Sequence, residues 1–239
     1  MPVFILIGNT SVKVEAAPGS LESFPVGRAA RLLKDSLRPS AGEGAVIASV
    51  NPSAEKGVEA ACRRAGLRNP TYAGRDFPAG VEIALDSPES VGIDRILNVK
   101  AAFARSRAAC AAVDLGTAVS VSVADESGRF VGGAIMPGIG LSLRCLAGAT
   151  ALLPAVSPAP PDTPLARDTA SAMRSGCVFG ALGAIREIVG RTGRVMRKDL
   201  KVILTGGDAQ LLASLVPEGW LILPGLTLEG LRLAYEETR

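Results

Sequence analysis

The sequence contains no histidine, only four cysteines and no long apolar run. Without histidine, Ser-His and Cys-His nucleophile pairs are excluded, and a zinc site of the Cys/His kind is nearly so. The cysteines lie at positions 62, 110, 145 and 177, without the short paired spacings of a metal site or a redox motif. Any proton transfer that this chain catalyses must therefore use a carboxylate.

Charge and targeting signals are sparse as well. The formal net charge is +3, and no aromatic residues interleave with the main basic concentration at 191–201, so we expect no nucleic-acid partner. No apolar stretch is long enough to span a bilayer, and the first residues do not read as a signal peptide. We therefore expect a cytoplasmic protein with reduced thiols and no membrane partner.

The two common nucleotide-binding motifs are also missing. There is no Gly-x-x-x-x-Gly-Lys-Ser/Thr loop, and no Gly-x-Gly-x-x-Gly follows a strand. Instead, three apolar strand-like runs end in turns rich in Gly and Thr, where backbone amides could meet a phosphate. These turns are Gly8-Asn9-Thr10, Asp114-Leu115-Gly116-Thr117 and Thr205-Gly206-Gly207-Asp208. We expect Asp208 to cap the helix that follows it.

The order of elements around these turns occurs twice. Strand 3–7 and its turn are followed by an alternating run at 12–14, and strand 110–115 by a hairpin at 119–123 and 130–136. The hairpin leads through Pro137-Gly138 into a helix at 141–146, whose amides could face a ligand. The layout predicts an α/β protein with a duplicated ribonuclease H-like (actin-like ATPase) fold, two lobes around a nucleotide cleft, divided at 1–108 and 109–239.

The rest of the sequence predicts further helices and strands in both halves of the chain. The predicted helices are 21–37, from Ser53 to about 65, 92–106, 168–192, one after Asp208, and 226–235. The predicted strands are 45–50, 81–85, 201–204 and 221–223, with a turn at 42–44 and a loop over 66–79.

One acid stands out in this frame. Gly92-Ile93-Asp94-Arg95 opens a helix, and Asp94 lies in its first turn, where the helix dipole stabilises a carboxylate. Acids are common there for structural reasons alone, with Arg95 as a surface partner. Since the chain has no histidine, Asp94 is nevertheless an available general base.

Four motifs together resemble the type III pantothenate kinases over nearly the whole chain. They are Val91-Gly92-Ile93-Asp94-Arg95-Ile96-Leu97-Asn98, Asp114-Leu115-Gly116-Thr117-Ala118, Gly132-Gly133-Ala134-Ile135-Met136-Pro137-Gly138, and the stretch from Asp168-Thr169 to Ser175-Gly176. The resemblance implies a homodimeric kinase that transfers the γ-phosphoryl group of ATP to pantothenate, the first step of coenzyme A biosynthesis. It also implies a need for Mg²⁺ and for a monovalent cation, K⁺ or NH₄⁺.

The resemblance also implies a role for each matching residue. Asp94 would take the proton from the pantothenate hydroxyl group. Gly92, Ile93, Asp94, Arg95 and Thr169 would bind pantothenate, and Gly8, Asn9, Thr10 and Thr117 would bind ATP. Asp114 would ligate the monovalent cation.

The sequence departs from the family pattern at three places. Leu6 stands where the first loop has an Asp, Leu85 where a Tyr precedes the Gly-x-Asp-Arg helix, and Val119-Ser120 where a Thr pair is common. Leucine cannot ligate Mg²⁺, so in an active enzyme the metal would arrive held by ATP and water, with outer contacts from Asp114, Asp94 or Asp208. Two alternatives stay open: a degenerate member that binds nucleotide or a pantothenate-like ligand as a regulator, and a kinase or hydrolase for another small substrate.

Overall fold

A computed structural model describes residues 2–17, 19–36 and 44–239. The described chain divides into two compact units. The first contains the residues up to Ala104 together with Gly225–Arg239, and the second is Arg105–Pro224. The first unit thus includes the C-terminal helix, whereas the sequence-based division at 108/109 assigns that helix to the second lobe; that division stays a prediction.

The described residues of the first unit form a five-stranded sheet with four helices. Its strands are β1 (Val3–Ile7), β2 (Ser11–Glu15), β3 (Leu21–Pro25), β4 (Gly44–Ser49) and β5 (Arg68–Tyr72). Its helices are α1 (Val26–Ser36), α2 (Pro52–Arg64), α3 (Ile93–Ser106), whose last two residues pass into the second unit, and α6 (Leu226–Glu236), with a short 3₁₀ turn at Pro88–Ser90.

The second unit also contains a five-stranded sheet. Its strands are β6 (Cys110–Leu115), β7 (Ala118–Ala124), β8 (Phe130–Pro137), β9 (Lys201–Thr205) and β10 (Leu221–Ile222). Its helices are α4 (Ile139–Ala149) and α5 (Thr169–Met196), with a 3₁₀ turn at Ala209–Leu212.

The two sheets share one topology. The first has the order β3-β2-β1-β4-β5 and the second β10-β9-β6-β7-β8, so each unit's first strand is flanked by its second and fourth. In both, the first three strands are antiparallel neighbours, and the first, fourth and fifth run parallel. The predicted α/β class with a duplicated ribonuclease H-like fold is therefore confirmed.

Apolar burial explains why the central strands form. Every residue of β1 is buried, as expected for a strand covered on both faces, and β2 alternates between buried and half-buried positions. In the first unit, Ile5 and Ile47 pack with Leu33 of α1 and Val58 of α2. The corresponding core of the second unit is larger and centres on β6, β7, β9, α4 and α5.

Several predicted boundaries are wrong. Residues 21–25 are strand β3, so the helix predicted from residue 21 begins at Val26; its predicted end at 37 and most of the 42–44 turn lie outside the described residues. The segment 66–79 contains strand β5, although it was predicted to be loop. The described residues 81–85 form no strand of their own, and a 3₁₀ turn replaces the helix predicted after Asp208.

The start of α2 is also different from the prediction. Asn51 occupies the N-cap position, Pro52 begins the helix, and the Ser53 hydroxyl donates to Asn51 Oδ1 at 2.6 Å. Ser53 is therefore inside the helix and does not cap it. Among the described helices, none is both long and apolar enough to cross a membrane.

The four cysteines differ enough in environment to give a simple test of the fold. Cys62 and Cys110 are buried, and burial raises the pKa of both thiols, that of Cys62 to about 11. Burial also raises the pKa of half-buried Cys177, whereas Cys145 on α4 is exposed. Because the thiolate is the reactive form, we expect one fast-reacting thiol per chain with a disulfide reagent at pH 8. A Cys145→Ser variant should lose that fast phase; two or more fast thiols in the wild type would contradict the fold.

Candidate functional site

The turn after β1 is tight and tied to its neighbour. The Gly8 amide donates to Ser11 O at 2.9 Å, and a Cβ at Gly8 would lie 3.0 Å from that oxygen. The Asn51 side-chain amide donates to Gly8 O at 3.3 Å, and the Val50 amide donates to Ile7 O at 3.0 Å. The turn is thus fastened to the carboxyl end of the parallel neighbour β4, while Asn9 and Thr10 are exposed.

The start of α3 brings an acid against a glycine. A Cβ at Gly92 would lie 2.6 Å from Asp94 Oδ1, so the carboxylate occupies the space that any other residue at 92 would fill. The Arg95 backbone amide donates to the same oxygen at 2.9 Å. This geometry fixes the Asp94 carboxylate over the first turn of the helix.

Arg95 follows with its side chain partly withdrawn from water. Its burial lowers the pKa of the guanidinium group, and the neighbouring Asp94 charge opposes that shift. A partly desolvated guanidinium binds a carboxylate more strongly than an exposed one does, and it can use two parallel hydrogen bonds.

An open pocket of about 610 Å³ adjoins this turn. Its wall comes from the end of β4 and the start of α2, the loop after β5, and the entry to α3. Gly92, Ile93 and Val50 are among the lining residues. Because the chain that carries Asn51 also forms part of this wall, the Gly8 turn and the Gly92 turn share one support.

Arg75 is a lining residue that no sequence motif indicates. Its guanidinium lies 3.0 Å from Glu55 Oε2 and 3.7 Å from the centre of the Tyr72 ring. The Tyr72 hydroxyl in turn donates to Glu59 Oε1 at 2.7 Å. The stacking and the ion pair thus hold the positively charged Arg75 guanidinium in the pocket wall, and about half of the Arg75 side chain is exposed.

In the second unit, the ends of β6 and β9 meet at one edge. Asp114 pairs in register with Thr205, and the Asp208 amide donates to Leu115 O at 3.0 Å. Gly206 has a φ of +97°, and a Cβ there would lie 2.5 Å from Asp114 Oδ1. Only glycine fits this position, because the half-buried Asp114 carboxylate and the Leu115 carbonyl oxygen occupy the space that a side chain would need.

The β6–β7 turn packs against the entry to α4. The Gly138 amide donates to Thr117 O at 3.0 Å, and a Cβ at Gly138 would lie 2.6 Å from that oxygen and overlap Gly116 O. Glycine at 138 is therefore required for the turn that carries Thr117 to reach the helix.

Asp208 does not cap the element that was predicted, since its side chain makes no capping bond to the 3₁₀ turn that follows it. Its carboxylate instead interacts with the Gly140 amide at the start of α4. Burial raises the pKa of Asp208, and the Gly140 amide and the Arg144 charge oppose the shift. This α4 amide therefore faces a carboxylate of the protein itself.

Thr169 lies exposed at the first position of α5. The preceding Asp168 caps the helix by accepting from the Ser171 amide at 2.9 Å, and hydrogen bonds from Ser171 lower the pKa of Asp168. Asp168, Ser171 and Arg174 line a second pocket, of about 440 Å³, with the segment 159–167.

Of the positions that depart from the family pattern, Ser120 pairs in register with Asp114 across β6 and β7. The two leucines lie in the first unit. Leu6 is buried within β1, between Lys13 and Ala48 of the neighbouring strands. Leu85 is half-buried and is not among the residues that line the 610 Å³ pocket. Among the described residues, no group of three or more His, Cys, Asp or Glu side chains could hold a metal ion.

Comparison with known proteins identifies the family. A sequence model described as type III pantothenate kinase matches residues 4–191. The chain belongs to the type III pantothenate kinase family. A type III pantothenate kinase of Anaeromyxobacter dehalogenans (strain 2CP-C) is 36% identical over 85% of this chain and 80% of the relative. One from Dehalococcoides mccartyi (strain CBDB1) is 33% identical over 98% of this chain and 95% of the relative.

Solved structures agree with the fold. A Campylobacter jejuni protein assigned to the Baf family of transcriptional activators superposes with a TM-score of 0.66 at 18% identity, over 99% of this chain and 98% of that one. A Sinorhizobium meliloti protein assigned as a 2-dehydro-3-deoxygalactonokinase gives a TM-score of 0.53 at 13% identity, over 99% and 96%. At these identities the likeness concerns the fold alone.

The residues that the family resemblance selects thus fall into two groups. The first unit holds Gly8, Asn9, Thr10 and Gly92–Arg95, and the second holds Asp114, Thr117 and Thr169. Within the first unit, Asn51 and Arg75 join the candidate site through contacts that only the fold creates. The Asn-Pro-Ser that ends β4 was the one sequence signal that could have indicated Asn51.

Proposed function

We propose that this chain is a kinase that transfers the γ-phosphoryl group of ATP to the hydroxyl group of pantothenate, giving 4'-phosphopantothenate and ADP. The observation that carries the proposal is the Gly92–Asp94 turn in a chain of this family. Gly92 and Ile93 line the 610 Å³ pocket, and the Asp94 carboxylate, which is not itself in the lining, is packed against Gly92. A fixed carboxylate next to a pocket of small-molecule size is what a phosphoryl transfer to an alcohol needs from its protein.

In this proposal Asp94 accepts the proton of the pantothenate hydroxyl as the oxygen attacks the γ-phosphorus and the bond to ADP breaks. The carboxylate of a reference aspartate is a weak base, so positioning must supply much of the rate. The bond from the Arg95 amide and the snug fit over Gly92 provide that positioning. Gly92 and Ile93 shape the wall, while Arg95 and Thr169 bind pantothenate.

The nucleotide would meet the Gly-Thr turns. Gly8, Asn9 and Thr10 present backbone and short polar groups at the end of β1, and Thr117 does so at the end of β6. Both turns lie at the carboxyl ends of parallel strands, where ligands of α/β proteins commonly bind.

The residues fit the implied cations to different degrees. Asp114 offers a hard carboxylate oxygen near the end of β6, which is a kind of ligand that suits K⁺ or NH₄⁺. The Leu6 side chain has no oxygen that could ligate Mg²⁺. The Mg²⁺ ion would therefore be held by phosphate oxygens and water, and it would neutralise charge on the phosphates. No observation favours the regulator alternative, and the chain is proposed to act as a homodimer in the cytoplasm.

The first experiment is phosphorylation of pantothenate by the purified protein with ATP and Mg²⁺, with and without K⁺. We expect potassium-dependent product formation. An Asp114→Asn variant should lose at least tenfold of the stimulation by K⁺, because the amide is a weaker ligand for a cation than the carboxylate. A folded wild type that binds ATP but forms no product would reject the kinase proposal, and product from another alcohol alone would redirect it.

A further inference from the structure

The C-terminal helix α6 is bonded to α3 at a buried polar contact. Thr227 Oγ1 donates to Asn98 Oδ1 at 2.8 Å, and the two residues are 3% and 1% exposed. Asn98 lies four residues after Asp94, so both project from the same side of α3. A buried hydrogen bond between side chains specifies one arrangement of two helices, because any shift leaves a polar group unsatisfied.

The helix backbones touch one turn further along α6. A Cβ at Gly230 would overlap Leu97 O and would lie 2.7 Å from the Leu97 carbonyl carbon. The close approach is therefore possible only with glycine at 230. It sets the depth at which α6 lies on α3, while the bond from Thr227 sets its register.

An ion pair closes the far end of the same contact. Lys100 Nζ lies 2.6 Å from Glu237 Oε2 and donates to Gly80 O at 3.4 Å, with only 7% of the Lys100 side chain exposed. Contacts from three positions of α6 and its C-cap, 227, 230 and 237, thus converge on residues 97–100 of α3, just after the turn that carries Asp94.

Helix α6 also packs on the strand that leads to the Gly8 turn. The rings of Phe4 in β1 and Tyr235 in α6 meet edge to face, with centroids 6.1 Å apart. One element therefore contacts both the strand that ends in the phosphate-binding candidate and the helix that begins with the candidate base. None of the residues that line the 610 Å³ pocket comes from α6.

We propose that Thr227, acting through Asn98, is a positioning residue for Asp94. This inference rests on the proposed function, since Asp94 has its role only there. The bond holds the first turns of α3 so that the Asp94 carboxylate meets the substrate hydroxyl at the right distance. Displacement of a reacting group by about 1 Å can lower a rate on the order of 100-fold, even when binding is unaffected.

The test compares Thr227→Val with Thr227→Ser. Valine has nearly the same shape without the hydroxyl group, whereas serine keeps it. We expect the valine variant to lose about 10- to 100-fold in kcat, with KM for pantothenate and for ATP within about twofold. The serine variant should keep at least half of the wild-type kcat. A core variant of the same unit, Val58→Ala, controls for lost stability and should leave kcat unchanged.

Amide hydrogen exchange gives a second readout that needs no catalysis. The valine variant should speed exchange at residues 95–99 more than at α2, and the serine variant should not. Wild-type kcat in the valine variant, or equal losses in both variants, would overturn the inference. If the wild type does not phosphorylate pantothenate, the proposed function fails by itself; unchanged exchange at 95–99 would then overturn the positioning contact as well.

Discussion

Replacing Asp94 by asparagine is expected to lower kcat for pantothenate phosphorylation by about 10²- to 10⁴-fold, the usual contribution of a general base. Asparagine keeps the size of the side chain and an oxygen that can accept from the Arg95 amide, so the turn at Gly92 should survive. The variant cannot accept the proton of the substrate hydroxyl. We therefore expect binding of ATP and pantothenate within about threefold of the wild type.

The measurement is steady-state kinetics together with calorimetric binding of each substrate. Asp199→Asn is the matched control, since Asp199 is an exposed acid of the second unit outside the proposed site. It should behave as the wild type. Retention of more than a tenth of wild-type kcat by the Asp94 variant would show that another group takes the proton.

Replacing Gly230 by alanine is expected to destabilise the protein by about 2–4 kcal/mol, because the added methyl group overlaps the backbone of α3 at Leu97. The melting temperature should fall by roughly 5–10 °C. A loss of stability here would be informative, because replacing glycine by alanine within a helix ordinarily stabilises the helix by up to about 1 kcal/mol.

Gly27→Ala provides the matched control in the same unit. Gly27 is exposed in α1, and an added Cβ there would meet nothing within 4 Å. We expect its melting temperature to equal or exceed that of the wild type in thermal unfolding followed by circular dichroism. If Gly230→Ala is as stable as Gly27→Ala, α6 does not lie against α3 at this distance.

The sequence predicted the strands whose own residues show a clear pattern of apolar residues. Strands β1, β4, β6 and β9 are buried on both faces, so each reads as an apolar run that ends in a polar turn. Strand β3 was missed because it lies at the sheet edge with most of its residues exposed. Strand β5, also an edge strand, contains Pro70 and polar residues, so its pattern resembled a loop.

Some residues of the candidate site could likewise be predicted from the sequence, and others could not. Residues grouped in one short motif, such as Gly92–Arg95, could be selected from the sequence and the family resemblance. Arg75 could not, and neither could the bond from Asn51 to Gly8, since both depend on contacts that the fold creates. The bond between Thr227 and Asn98 joins residues 129 positions apart, and no local pattern announces it.

The position of α6 in the chain has a consequence for synthesis. The first unit is completed by Gly225–Arg239, which a ribosome makes only after the whole of the second unit. Residues up to Ala104 therefore cannot complete their unit until α6 is made, and the α3 surface around Leu97 and Asn98 stays uncovered until then. The second unit, Arg105–Pro224, has all of its strands as soon as it emerges. A nascent chain that stops before residue 225 should thus yield a folded second unit attached to an unfinished first one.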